Sequence, residues 1–406
     1  MIFKRKLYDK LLVWKQQTAG TKALLIEGAR RIGKSTLVEE FAKNEYRSYL
    51  MIDFNKVSDS VISAFNNYMN DLDTFFLILS SEYGVRLYPK ESIIIFDEIQ
   101  QFPKARQAIK YLVADGRFDY IETGSLISIK ENVNDITIPS EERTLLMYPM
   151  DFEEFAWAMN EEPLMAYIRQ CFDKKVPLEQ GIHAKAMLLF RQYMIVGGMP
   201  KSLSAYLENN RSFEMADMEK RDILTLYRND IKKIKSGYRS SVLSIFDQIP
   251  AFLSRSERRV VMNRIEKGAS FPKYHDTFFW LSDSMIANEC FNCSDPNVGL
   301  SLNEDRTYVK CYMGDTGLLI SHTFDENEIS DGELYREILL GKLSVNEGMF
   351  YENVIAQMLV AAGHKLYFYT RYNQEKHRND MEIDFILSNH SKLRYKIFPI
   401  EVKSND

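Results

Sequence analysis

The sequence predicts an α/β fold in several domains, and three observations carry that expectation. Over the first 150 residues, short apolar runs rich in β-branched side chains alternate with amphipathic helical stretches, as in a parallel sheet covered by helices. Between the first run, Ala23 to Ile26, and the first strongly helical stretch lies Gly28-x-x-x-x-Gly33-Lys34-Ser35, a strand, loop and helix order suited to cradling phosphate. About sixty residues later the run ESIIIFDEIQ ends in two adjacent acids, Asp97 and Glu98.

Each element of this first region has its own reason. Lys4 to Gln16 places Leu7, Leu11, Leu12 and Trp14 on one side of a short helix. In the loop from Gly28 to Thr36 (Gly28, Ala29, Arg30, Arg31, Ile32, Gly33, Lys34, Ser35, Thr36), the glycines let successive N–H groups face one concavity. The following helix points its positive end at the same spot. Lys34 is placed to reach terminal phosphates and Ser35 to hold magnesium. Tyr46 to Lys56 has the composition of a second buried strand, and Ser58 to Ser81 that of one or two helices. The four apolar residues before Asp97 predict a central strand buried on both faces. Asp97 then suits water-mediated magnesium binding, and Glu98 the polarising of an attacking water. Lys104 to Asp115 is helical, and Phe118 to Ser128 a strand whose Thr123-Gly124-Ser125 puts a hydroxyl beside the acidic strand. Thr123 reads either as a γ-phosphate contact or as a turn cap.

Composition limits the wider reading. With 406 residues, 45% hydrophobic and 13% aromatic, the chain supports several packed cores. A net charge of -5 speaks against a globally basic nucleic-acid binder and leaves local patches open. No apolar run approaches the roughly 20 residues of a membrane span, so the expectation is a cytoplasmic protein with no membrane partner. The four cysteines make no disulfide framework, and Cys290-x-x-Cys293 lacks a second pair at zinc spacing.

GARRIGKST, IIIFDEIQ and ETGS, followed by YPMDFEEFAWAM, occur in an order that resembles the AAA-type ATPases of bacteria and archaea carrying a C-terminal domain of unknown function, DUF4143. The resemblance spans nearly the whole chain. It implies an AAA-type P-loop NTPase sheet over residues 1–150, with ATP and Mg2+ as cofactors. The paired Arg30 and Arg31 depart from the single arginine expected there, and Arg143 is the candidate arginine finger.

Beyond this region, residues 151–240 read as a helical lid or connector, interrupted at Val196-Gly197-Gly198-Met199-Pro200. Residues 241–330 resemble a winged helix in their order, helices first and a hairpin last. Arg255, Arg258, Arg259, Arg264 and Lys267 form a basic stretch there that offers DNA a contact. Residues 331–406 place Glu352 on a helix, Asp384 on a strand and Glu401-x-Lys403 on the next, which resembles a restriction-endonuclease-like α/β core. That resemblance implies a second Mg2+ site at Glu352, Asp384 and Glu401, with Lys403 orienting water. The domain is expected to be incomplete, because the sequence stops three residues after Lys403.

Three functions follow as expectations: a Mg2+-dependent ATPase acting as a nucleotide-driven switch, with DNA as a second partner; an ATP-gated, Mg2+-dependent nuclease; or an ATP-bound sensor without turnover. The catalytic candidates are Lys34, Glu98 and Thr123. The oligomeric state is not legible in the sequence.

Overall fold

Strands form where β-branched and apolar residues run together. In the computed structural model, residues 1–125, 140–234, 237, 239–255, 258–260, 271–296, 299–325, 332–341, 347–373, 378–391 and 394–403 are described. The chain divides into two units, Met1–Tyr148 and Pro149–Asp406.

In the first unit, α1 (Leu7–Gln17) precedes β1 (Ala23–Gly28), α2 (Lys34–Glu45), β2 (Ser48–Asp53), α3 (Asp59–Asn67), α4 (Leu72–Tyr83), β3 (Ser92–Asp97), α5 (Pro103–Asp115), β4 (Asp119–Ser125) and β5 (Glu142–Leu146). The helices start and stop where local chemistry dictates. Ser58 and Asp71 cap α3 and α4 through backbone N–H groups, and Gly84 and Gly116 close α4 and α5 in the left-handed region.

The five strands are parallel in the order β2-β3-β4-β1-β5, so the expected parallel sheet covered by helices is present. Every residue of β3 is buried, as its unbroken apolar run requires. Strand β4 separates β1 from β3, so its C-terminal end, with Thr123, lies between the glycine loop and the acid pair. Beneath the acid pair, Phe54, Phe65, Phe96 and Phe102 pack with ring centroids 5.6–5.9 Å apart. Such contacts fix the strand end that carries the acids.

The second unit begins with α6 (Phe152–Ala158), whose start is a reciprocal capping box between Asp151 and Glu154. Then follow α7 (Glu162–Lys174), α8 (Gln180–Val196), α9 (Pro200–Glu208), α10 (Phe213–Lys232), α11 (Arg239–Leu253) and α12 (Phe271–Asp283). The expected break at Gly197-Gly198 falls between α8 and α9 and is a point of close packing. A Cβ on Gly198 would stand 2.1 Å from the Met150 carbonyl, and Gly197 has φ +79°.

After α12 come β6 (Ala287–Cys293), β7 (Glu304–Met313), α13 (Thr316–Thr323), α14 (Glu333–Leu340), α15 (Gly348–Ala361), β8 (Leu366–Asn373), β9 (Arg378–Ile383), β10 (Phe385–Ser391) and β11 (Arg394–Ile400). The β6–β7 hairpin does not close a separate unit ending at 330. It joins β8 and β9 in one sheet, β7-β6-β8-β9, through parallel pairing of Cys290 with Leu366 and Asn292 with Phe368. Backbone pairing therefore crosses the boundary expected at 330. Strands β10 and β11 form a separate antiparallel pair. Among the described residues, no helix is long and apolar enough to cross a membrane.

Candidate functional site

The phosphate loop connects a buried strand to a helix that begins without a side-chain cap among the described residues. Gly33 sits at φ +92° and Arg31 at φ +68°, two left-handed turns that curl the loop back over the end of β1. Gly28 has no room for a side chain, since a Cβ would lie 2.3 Å from the Met147 carbonyl and 2.5 Å from Ile32 Cδ1. Ala29 and Ile32 are buried, Arg30 is half-buried, and Arg31 and Thr36 face solvent.

Lys34 is 7% exposed, and its Nζ donates to the carbonyls of Gly28 (3.0 Å) and Ala29 (2.8 Å). Burial pulls its pKa from 10.5 down to about 8, against the opposing pull of Glu98 and Asp97. Among the described residues it makes no ion pair. A buried ammonium held only by carbonyl dipoles is poised for an anion.

Asp97 gathers the other motif residues. Its Oδ1 accepts from Ser35 Oγ at 2.8 Å and from Thr123 Oγ1. Burial raises the Asp97 pKa, while these two hydroxyls hold it down. Glu98 adopts φ +55°, its N–H donates to Thr123 Oγ1 at 3.4 Å, and its carboxylate accepts from Gln100 Nε2. Thus Lys34, Ser35, Asp97, Glu98 and Thr123 converge, although they come from three segments.

Comparison with known families agrees with this geometry. Residues 20–156 match the model of an AAA domain, and residues 347–406 match a domain of unknown function, DUF4143. The chain joins an AAA domain to a DUF4143 domain. Between them, residues 187–328 match another domain of unknown function, DUF8612. Among solved structures, AMPPCP-bound DnaA from Aquifex aeolicus is 12% identical, covering 70% of this chain and 87% of its own with a TM-score of 0.26. Cdc6p from Pyrobaculum aerophilum is 9% identical, covering 83% and 93%, with a TM-score of 0.28. No curated protein matches the sequence.

The first unit contains two supporting residues that sequence reasoning missed. Arg5, 7% exposed, donates from Nη1 to the Ile32 carbonyl (2.9 Å) and from Nη2 to the Tyr148 carbonyl (2.6 Å). It ties the phosphate loop to the segment that leaves β5. Nothing in the run Lys4-Arg5-Lys6 distinguishes it from a solvated charge. Gln100, which holds the Glu98 carboxylate, was equally silent. Arg143 lies exposed in β5 opposite Leu24, four residues short of Gly28 along the neighbouring strand.

In the DUF4143 domain two of the expected acids, Glu352 and Asp384, lie around one base, Lys310, while Glu401 pairs with Lys403. Glu352, on α15, is fully buried. Its Oε1 lies 3.2 Å from Lys310 Nζ and accepts from the Tyr312 hydroxyl, while Oε2 pairs with Arg258. Lys310 Nζ is also 3.2 Å from Glu382 Oε1 and 4.0 Å from Asp384 Oδ1. Asp384 Oδ2 accepts from the Val402 N–H at 2.8 Å, and Glu401 pairs with Lys403 at 2.5 Å.

Lys310 was missed, although a lone charge inside TYVKCYM was a visible signal. Arg258, expected in the basic stretch, turns inward to Glu352. Arg259 lies over the Tyr308 ring, 5.0 Å from its centroid, and Arg255 over Phe252 at 5.8 Å. Arg264 and Lys267 lie outside the described residues. Cys290 and Cys293 are buried free thiols whose pKa values burial raises.

Proposed function

We propose that the AAA domain binds ATP with Mg2+ and hydrolyses it, and that the chain works as a nucleotide-driven switch. The observation that supports this most directly is the convergence of Ser35 and Thr123 on one oxygen of Asp97, beside a buried Lys34 that makes no ion pair among the described residues. These groups fit the ligand: among the described residues the ammonium makes no ion pair, and a carboxylate and a hydroxyl, the oxygen ligands a hard cation takes, lie at the end of the loop.

In this reading Lys34 and the N–H groups from Ala29 to Thr36 bind the phosphates. Ser35 and Asp97 would hold Mg2+, whose chemistry when bound would be charge neutralisation. Glu98 takes a proton from the attacking water after its carboxylate leaves Gln100. Thr123, between the loop and the acids, exchanges its bond to Asp97 for one to the γ-phosphate or the water. Of the three described arginines of the basic stretch, Arg258 pairs with Glu352, and we read Arg255 and Arg259 as the two that face DNA.

The test is ATP turnover by the full chain, with and without duplex DNA. Glu98→Gln is expected to retain ATP binding and to lower turnover by roughly 10²- to 10⁴-fold, the usual contribution of a general base. Lys34→Ala is expected to lose ATP binding. Unchanged turnover in Glu98→Gln removes Glu98 from the mechanism, and unchanged affinity in Lys34→Ala removes the site. Stimulation of the wild type by DNA supports the DNA partner; a flat response removes it.

A further inference from the structure

The nuclease-like resemblance implies a divalent metal among Glu352, Asp384 and Glu401, and the geometry of these residues disagrees. We propose that Lys310 is the resident cation of this carboxylate cluster, so that the DUF4143 domain of this chain takes no divalent metal there. The ammonium occupies the space between the acids, 3.2 Å from Glu352, 3.2 Å from Glu382 and 4.0 Å from Asp384. Its side chain is 1% exposed and that of Glu352 is 0% exposed, so neither swings aside into solvent. Phe368 adds a ring face 5.0 Å from Nζ.

Further groups also engage these acids. Arg258 holds the second oxygen of Glu352, the Val402 N–H engages Asp384 Oδ2, and Lys403 engages Glu401. Four acids thus face three bases, Lys310, Arg258 and Lys403. Mg2+ or Mn2+ requires oxygen ligands at about 2.1 Å in near-octahedral array. Entering here, it would meet a fixed positive charge where its own centre must lie. Among the described residues no group of three or more His, Cys, Asp or Glu side chains is arranged to hold a metal ion.

The same residues explain what the cluster does instead. Next to Glu352 on α15, Asn353 accepts from the Met313 N–H at 2.8 Å, and Gln357 accepts from the Thr316 N–H at 2.9 Å. Glu352, Asn353 and Gln357 form one polar edge zipped to β7 and the start of α13. Lys310 is the charged member of that seam. Removing it leaves buried carboxylates facing one another, a costly arrangement.

The experiment titrates nucleotide-free, full-length wild type and Asp384→Asn with Mn2+, read by electron paramagnetic resonance, and incubates both with linear DNA and Mn2+. Both proteins retain Asp97, so any metal at the phosphate loop contributes equally, and the outcome is independent of the ATPase reading. The expected result is that the two isotherms coincide and neither protein cuts DNA. Loss of a true ligand weakens metal binding by roughly tenfold or more. A weakening of that size in Asp384→Asn, or cleavage that Asp384→Asn abolishes, overturns the proposal. As a second arm, Lys310→Met is expected to unfold at a lower temperature than wild type; an unchanged midpoint also overturns it.

Discussion

Lys34 places a cost on the nucleotide-free protein that pH should reveal. In the unfolded chain this amine titrates near its ordinary 10.5, whereas burial lowers the folded value to about 8. Between those values the unfolded state binds more protons, so stability rises with pH. The cost is fully present below pH 8 and is relieved as pH climbs toward 10.5. At about 1.4 kcal/mol per pH unit, the whole depression corresponds to about 3 kcal/mol.

Of this, about 2 kcal/mol falls between roughly pH 7.5 and 9.5, a range open to experiment. The assay is urea unfolding of wild type and Lys34→Met across that range, with the variant cancelling every other titration. Wild type should gain about 2 kcal/mol relative to the variant. A saturating non-hydrolysable ATP analogue should flatten the difference, because phosphate restores the counter-charge. The affinity for that analogue should itself fall about tenfold per pH unit above 8. Parallel stability profiles for the two proteins would refute a buried, depressed lysine at this position.

Two substitutions test the supports around the two units. Arg5→Met removes two charged hydrogen bonds to the Ile32 and Tyr148 carbonyls and should destabilise the first unit by about 3 kcal/mol, with weaker ATP binding. Arg5→Lys should restore only part of this, because one ammonium does not reproduce the guanidinium fork; calorimetry showing no loss in Arg5→Met would refute the clamp. Gly198→Ala drives a methyl to 2.1 Å from the Met150 carbonyl and should cost about 3 kcal/mol or more. A wild-type unfolding midpoint in that variant would mean that the backbone yields there.

What was legible in the sequence was local. The glycine spacing, the apolar run before Asp97 and the hydroxyl of Thr123 are each consecutive patterns. A P-loop sheet then brings their ends together whatever lies between. Arg5 was illegible because its partners lie 27 and 143 residues away. In the tail, the acids were legible as a set and their chemistry was not. Glu352 meets Lys310 across 42 residues, through a strand that the sequence assigned to a different domain. The inward turn of Arg258 has the same origin: a basic run looks alike whether its side chains face solvent or a buried carboxylate.

The shared sheet of the second unit also decides how the chain can be divided. Strand β6 pairs on one side with β7 and on the other with β8, so a fragment ending near residue 330 would bare one hydrogen-bonding edge of β6. It would also leave Lys310 without Glu352, Glu382 or Asp384. An open edge of that kind recruits other chains. A fragment beginning at 347 would in turn strand the buried faces of Leu366, Tyr367 and Phe368. The stretches matching DUF8612 and DUF4143 therefore share one sheet, and a recombination that separates them would cut through its pairing.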